Sequence, residues 1–386
     1  MSYCDFAIHS PENLGLDCAR LEELVARAQQ GIDQGPLPSL QIALAKDGKL
    51  ALFTTLGEAG NNQRYNIFSC TKPLVASAIW LLMAHEKLDI NQRVCEFIPQ
   101  FASNDKDRVT VEQLLCHTAG IPNAPLGPPA WLTRESRLQK MQSWRLNWEP
   151  GSQMEYHPTS AHWVLAEVIE RFSEMDYRQY IDSAIISPLG LDGFQLGVAE
   201  NQQRDITTLL PVGTPPTAQE LEALFGVAME WPDITDEALL RFNEPETRAL
   251  GVPGGGAIAN AASVALFYQC LLHNPGEIWD PEILADATGN IRVTFDDPAS
   301  GVAANRALGV VIAGDDGLGN RRGMCKTVSA TCFGHPGAAG QVAWVDPASG
   351  ISFCMLTNGL DANPIRAAQF GTALSNRAGN CLRSET

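Results

Sequence analysis

Strand-like runs lie near both ends of this 386-residue chain, and helical patterns fill most of the middle. Near the start, residues 41–45 and 50–54 flank Lys46-Asp47-Gly48-Lys49, which reads as a β-hairpin with a glycine-containing turn. A helix precedes it over 17–31, with Asp17 as N-cap and Leu21, Leu24, Val25 and Ala28 as one apolar stripe. At the far end, 307–313, 340–345 and 351–357 read as strands and 364–375 as a closing helix. From Leu74 to about Arg171 the signals are mostly helical. This distribution predicts one α/β domain built from both termini, with a helical insertion.

Composition narrows the function. Apolar residues make up 45% of the chain and charged ones 18%, as in an ordinary globular protein. A formal charge of −17 argues against nucleic acid as a partner, because its phosphates would be repelled. The longest apolar run, 74–84, is too short to span a bilayer and reads as a buried helix, so no membrane partner is expected. The opening residues lack the basic start and apolar core of a secretory leader. Ten cysteines are scattered without a Cys-x-x-Cys pair, and the expectation is reduced thiols in a cytoplasmic protein.

Ser69-Cys70-Thr71-Lys72 leads into that apolar run. Residues three apart on a helix share a face, so Lys72 can reach the Ser69 hydroxyl. Free backbone N–H groups at a helix start favour negative charge developing there. A serine can thus be activated without a histidine. Cys70 points about a quarter-turn away and is the lesser candidate. The same spacing recurs at Ser103-Asn104-Asp105-Lys106, whose turn composition and missing apolar helix read as a solvated loop.

Three further segments carry possible chemistry. Tyr156, in the turn-rich stretch 150–158, can share a proton with Ser69 if a nearby ammonium, Lys72, lowers its pKa from about 10. His335-Pro336-Gly337 opens a small-residue stretch, 333–344, in which an edge strand can approach a ligand and aim a backbone N–H at an oxyanion. Gly254-Gly255-Gly256 lacks phosphate-loop spacing and reads as a turn capping the helix over 262–272. The Pro- and Gly-rich stretch 121–129 and the region 211–246 are expected to border a pocket.

Taken in order, these segments resemble the serine β-lactamase-like, penicillin-binding superfamily, nearest to its class C branch and the related family VIII carboxylesterases. Ser69-Cys70-Thr71-Lys72 matches its Ser-x-x-Lys, and residues 114–122 (LLCHTAGIP) its LLxHTSGLP stretch. Tyr156 matches the tyrosine of its Tyr-x-Asn, residues 254–262 its Gly-rich stretch, and His335-Pro336-Gly337 its Lys-Thr-Gly or His-Thr-Gly. Lys326-Thr327 begins like Lys-Thr-Gly, but Val328 follows. In the family pattern His117 belongs to a structural turn.

The resemblance implies an α+β fold of β-lactamase/transpeptidase type. An antiparallel sheet flanked by helices would come from 1–74 and 250–386, and a mainly helical domain over 75–249 would form the other side of the cleft. It implies Ser69 as nucleophile, Lys72 and Tyr156 as its proton partners, and the backbone N–H groups of Ser69 and Ala338 as the oxyanion site. His335, Pro336 and Gly337 are implied to bind substrate, without metal or cofactor. Which of Tyr156 and Lys72 is the immediate base stays open at this point. Pro158 replaces the Asn that contacts a substrate amide, and His335 replaces the lysine that holds a β-lactam carboxylate, being mostly neutral near pH 7. Both departures favour a carboxylic ester, with short acyl chains, as the small-molecule substrate. The rivals are a β-lactam or D-amino-peptide hydrolase using the same serine and a non-catalytic binding protein.

Overall fold

The computed structural model describes residues 3–85, 88–217 and 235–383. Helix α1 (Cys18–Gln34) starts where the sequence predicts, with the Asp17 carboxylate accepting from the N–H groups of Ala19 and Arg20. The hairpin follows as β1 (Ser39–Lys46) and β2 (Lys49–Gly57). Helix α2 (Lys72–Ala84) is apolar nearly all round and accordingly buried. Helix α3 (Ser160–Ser173) and α4 (Ala261–His273) come next, the second capped by Asn260. The chain closes with β3 (Val311–Ile312), β4 (Phe333–Gly334), β5 (Val342–Asp346), β6 (Ile351–Thr357) and α5 (Pro364–Gly379).

The two ends do meet. The six strands form one antiparallel sheet in the order β2-β1-β6-β5-β4-β3, with Leu40 opposite Thr357 and Lys46 opposite Ile351. Alternation along a strand sends successive side chains to opposite faces. Leu40, Ile42 and Leu44 of β1 join Phe353 and Met355 of β6 in a core under α1 and α5. Ala43, Ala45, Cys354 and Leu356 face the larger core, which holds α2, α3 and α4. The small alanines let α4 lie close against β1 and β6. The fold is thus the α+β, β-lactamase/transpeptidase-like architecture, with an antiparallel sheet between helices.

Several local readings change. The strand expected over 307–313 pairs only at Val311–Ile312, and further short strands form at Gln195–Leu196 and Leu210–Val212. The Gly254–Gly256 run does not cap α4: a short strand, Ala257–Ala259, and Asn260 intervene. Within 211–246, residues 218–234 lie outside the described residues. No helix among the described residues is long and apolar enough to cross a membrane.

Candidate active site

Ser69 sits in a 3-10 turn, Phe68–Thr71, that runs directly into α2. The chain therefore stays helical from Ser69 to Lys72, and the lysine comes round to the serine: Lys72 Nζ is 3.2 Å from Ser69 Oγ. Two backbone carbonyls complete its surroundings, Pro158 O at 2.8 Å and Gly254 O at 2.6 Å. Lys72 is fully buried. That burial, and secondarily the Arg306 charge, hold its pKa well below the usual lysine value.

Tyr156 donates its hydroxyl to Ser69 Oγ at 2.6 Å, and Lys72 Nζ lies 4.9 Å from the centre of its ring. The phenol is not lowered as the sequence reading required. Burial pushes it up to about 12, outweighing the Ser69 hydrogen bond and the Arg306 charge. The same burial that raises the phenol also disfavours the Lys72 ammonium that was expected to lower it.

Arg306, which the sequence reading did not single out, lies behind this pair. Its guanidinium is 5.3 Å from the Tyr156 ring centre and donates Nη1–H to His335 Nε2 at 3.1 Å. His335 Nδ1–H in turn donates to Pro336 O at 2.7 Å, so both imidazole nitrogens are occupied and this tautomer is neutral. Burial, then Arg306 and Lys72, drive the His335 pKa well below 6.5. Asp297 Oδ2 is 4.0 Å from Arg306 Nη2.

A second set of histidines fixes the loop that presents Tyr156. His117 Nδ1 accepts from the His157 N–H at 3.1 Å, and His157 Nε2 accepts from the Ile121 N–H at 3.0 Å. His157 Nδ1–H donates to Glu155 O at 2.6 Å. His117 thus has the structural place expected of it, with its ring 4.8 Å from that of Tyr156.

Glycine is required at two close approaches. A Cβ on Gly254 would fall 2.7 Å from Pro158 O, so only glycine lets the two carbonyls converge on Lys72. A Cβ on Gly337 would fall 2.6 Å from Ile67 O, where the 335–338 segment passes the nucleophile turn. This segment is the free continuation of β4 rather than of an edge strand: β3 flanks β4 and ends its pairing at Gly334. Beyond it, His335 N–H still donates to Ala343 O and Gly337 N–H to Gln341 O.

A cleft of about 440 Å³ opens over Ser69. Ala338 lines it together with Phe68, the loop residues Pro122 to Leu126, and Leu239 and Phe242. Both regions expected to border the pocket therefore contribute described residues. Ala338 opens a 3-10 turn and Ser69 is second in its own, positions whose N–H groups have no partner within the helix. His335 is buried behind Tyr156, with ring centres 5.8 Å apart, while Pro336 and Gly337 line a neighbouring cavity against α5. Of the 335–338 segment, Ala338 alone lines the Ser69 cleft among the described residues.

Residues 23–375 match the family model described as Beta-lactamase. The chain belongs to the beta-lactamase family. A putative D-alanyl-D-alanine carboxypeptidase of Salmonella enteritidis PT4 is 23% identical to this family member, over 93% of this chain and 87% of the other. A family VIII carboxylesterase structure superposes with a TM-score of 0.75 at 21% identity, covering 93% and 99% of the two chains. A penicillin-binding protein homologue from Caulobacter crescentus gives 0.74 at 22%, covering 95% and 98%. The protein is a serine hydrolase of the beta-lactamase family.

Proposed function

We propose that this beta-lactamase-family protein hydrolyses neutral carboxylic esters through an acyl-enzyme on Ser69. One observation carries the choice of substrate: among the described residues, those that line the Ser69 cleft include no cation. Peptides ending in D-alanine and β-lactams bring a carboxylate, which needs a positive partner when desolvated. His335, at the position implied for that partner, is buried and neutral with both nitrogens occupied. Among the described residues of this border, 206–217 and 235–240, there is no lysine or arginine. Phe68, Pro125, Leu126, Leu239 and Phe242 offer an apolar surface instead.

The hydrogen bonds support a proton route through Lys72. As a neutral amine, Lys72 has two N–H groups and one lone pair. Pro158 O and Gly254 O take the two donors, which leaves the lone pair aimed at the Ser69 hydroxyl. Lys72 is then the immediate base. Ser69 Oγ attacks the ester carbonyl carbon, its proton passes to Nζ, and the oxyanion accepts from the N–H groups of Ser69 and Ala338. Tyr156, protonated at neutral pH, gives its phenolic proton to the departing alkoxide and regains one from Lys72. Water repeats the sequence on the acyl-enzyme and releases the acid.

Parallel kinetics test this reading. The kcat/KM for p-nitrophenyl butyrate is expected to exceed that for nitrocefin and for a D-Ala-D-Ala peptide by about 10²-fold or more, the penalty of an unpaired carboxylate. Faster turnover of either carboxylate-bearing substrate would overturn it.

A further inference from the structure

Away from the cleft, two sulfur nucleophiles meet. Cys4 and Cys270 are separated by 266 residues, yet their Sγ atoms are 3.5 Å apart. Cys270 lies toward the C-terminal end of α4 and is 5% exposed, whereas Cys4 is half-buried on the N-terminal segment. Several contacts hold that segment in place. The Cys4 N–H donates to Leu189 O at 2.9 Å and the His9 N–H to Leu50 O at 2.8 Å. The Tyr3 ring rests on Gly276, where a Cβ would come within 2.2 Å of the phenol oxygen. The thiols are therefore brought together by the fold around them, within reach of a bond of about 2.05 Å.

We infer that Cys4 and Cys270 form a modification site at which a low-molecular-weight disulfide, such as oxidised glutathione, installs an intramolecular disulfide. Cys4 is the more accessible and attacks first as the thiolate. The oxidant's sulfur–sulfur bond breaks, one glutathione thiolate leaves, and Cys4 carries a mixed disulfide. Cys270 cannot meet the oxidant directly but faces Cys4 Sγ. Its thiolate attacks there, forms the new bond and releases the second glutathione. The two protein thiols give up two electrons and two protons, which leave with glutathione as two thiols. Proximity makes this second step intramolecular, so it outruns capture by other thiols. The product ties the N-terminal segment to α4 and closes a ring over residues 4–270, which restricts the unfolded chain.

Incubation of the folded full chain with oxidised glutathione tests the assignment by intact mass, non-reducing peptide mapping and thermal unfolding. The expected product is lighter by two hydrogens, links the peptides of Cys4 and Cys270, and unfolds about 5 °C higher, reversibly with dithiothreitol. Cys4→Ser is expected to abolish both link and shift. Cys270→Ala should instead retain a glutathione adduct on Cys4, which separates loss of the resolving thiol from misfolding. A stable adduct on Cys4 in the unaltered protein, or a link between other cysteines with these two still thiols, would overturn the inference.

Discussion

This chain contains Ser-x-x-Lys twice, at Ser69/Lys72 and at Ser103/Lys106, and both lysines are fully buried. Each Nζ also lies near an aromatic ring, Tyr156 at 4.9 Å and Phe101 at 5.4 Å. Burial lowers both pKa values, that of Lys106 to about 8 with a smaller push from Arg145. Burial therefore does not make a lysine a catalytic base. Backbone conformation separates the two. Ser69 to Lys72 is continuously helical, whereas Asn104 and Asp105 take positive φ values of 57° and 64°. The reversal turns Ser103's carbonyl, not its hydroxyl, toward Lys106 Nζ, at 2.5 Å. Trp144 O takes a second bond at 2.7 Å, and Ser103 Oγ donates to Gln142 O at 2.6 Å. The reading of this copy as a solvated loop is thus corrected: its lysine is a buried clamp between loops.

The largest difference between the copies should appear in their serines. Ser69→Ala is expected to lower kcat for p-nitrophenyl butyrate by about 10⁴-fold or more and to abolish fluorophosphonate labelling, read by intact mass. Ser103→Ala should leave both unchanged and cost about 1 kcal/mol in urea unfolding for its lost hydrogen bond. The lysines should divide along the same line. Lys72→Met is expected to lower kcat by about 10³-fold, removing the base. Lys106→Met should keep activity but lose about 1–3 kcal/mol of stability, leaving the Ser103 carbonyl unpaired and Trp144 O with the Asn104 amide alone. A catalytic loss at Lys106 without unfolding would erase the distinction.

The smallest effect concerns Arg306, a charge that biases the first copy. Its positive field lowers the Lys72 pKa, so its removal raises that pKa and reduces the neutral fraction at a given pH. Arg306→Gln should therefore move the acid limb of the kcat/KM profile to higher pH, with about tenfold lower activity at pH 7. An unmoved limb would show that burial alone sets the amine.

Side-chain chemistry in ordered segments was legible: Ser69, Lys72 and Tyr156 meet as expected, and both pocket borders contribute to the cleft. Pro158 read as a loss because its side chain neither donates nor accepts, yet its carbonyl holds Lys72. Gly254 read as a helix cap, and its carbonyl does the same. Every residue type carries such a carbonyl, so nothing in the sequence marks these two. Arg306 was silent for a related reason. It lies 150 residues beyond Tyr156, and only packing of the segment before β3 brings its charge behind the phenol.

By itself the sequence determined which elements form and which hydroxyl and amine share a helical turn, because periodicity, capping and i, i+3 spacing are local. Tertiary structure alone decided the surroundings of those groups. Buried carbonyls and a distant guanidinium surround Lys72, and His335 is turned inward, away from the Ser69 cleft. Those properties belong to the arrangement of charges and solvent exclusion, which no short stretch of chain contains.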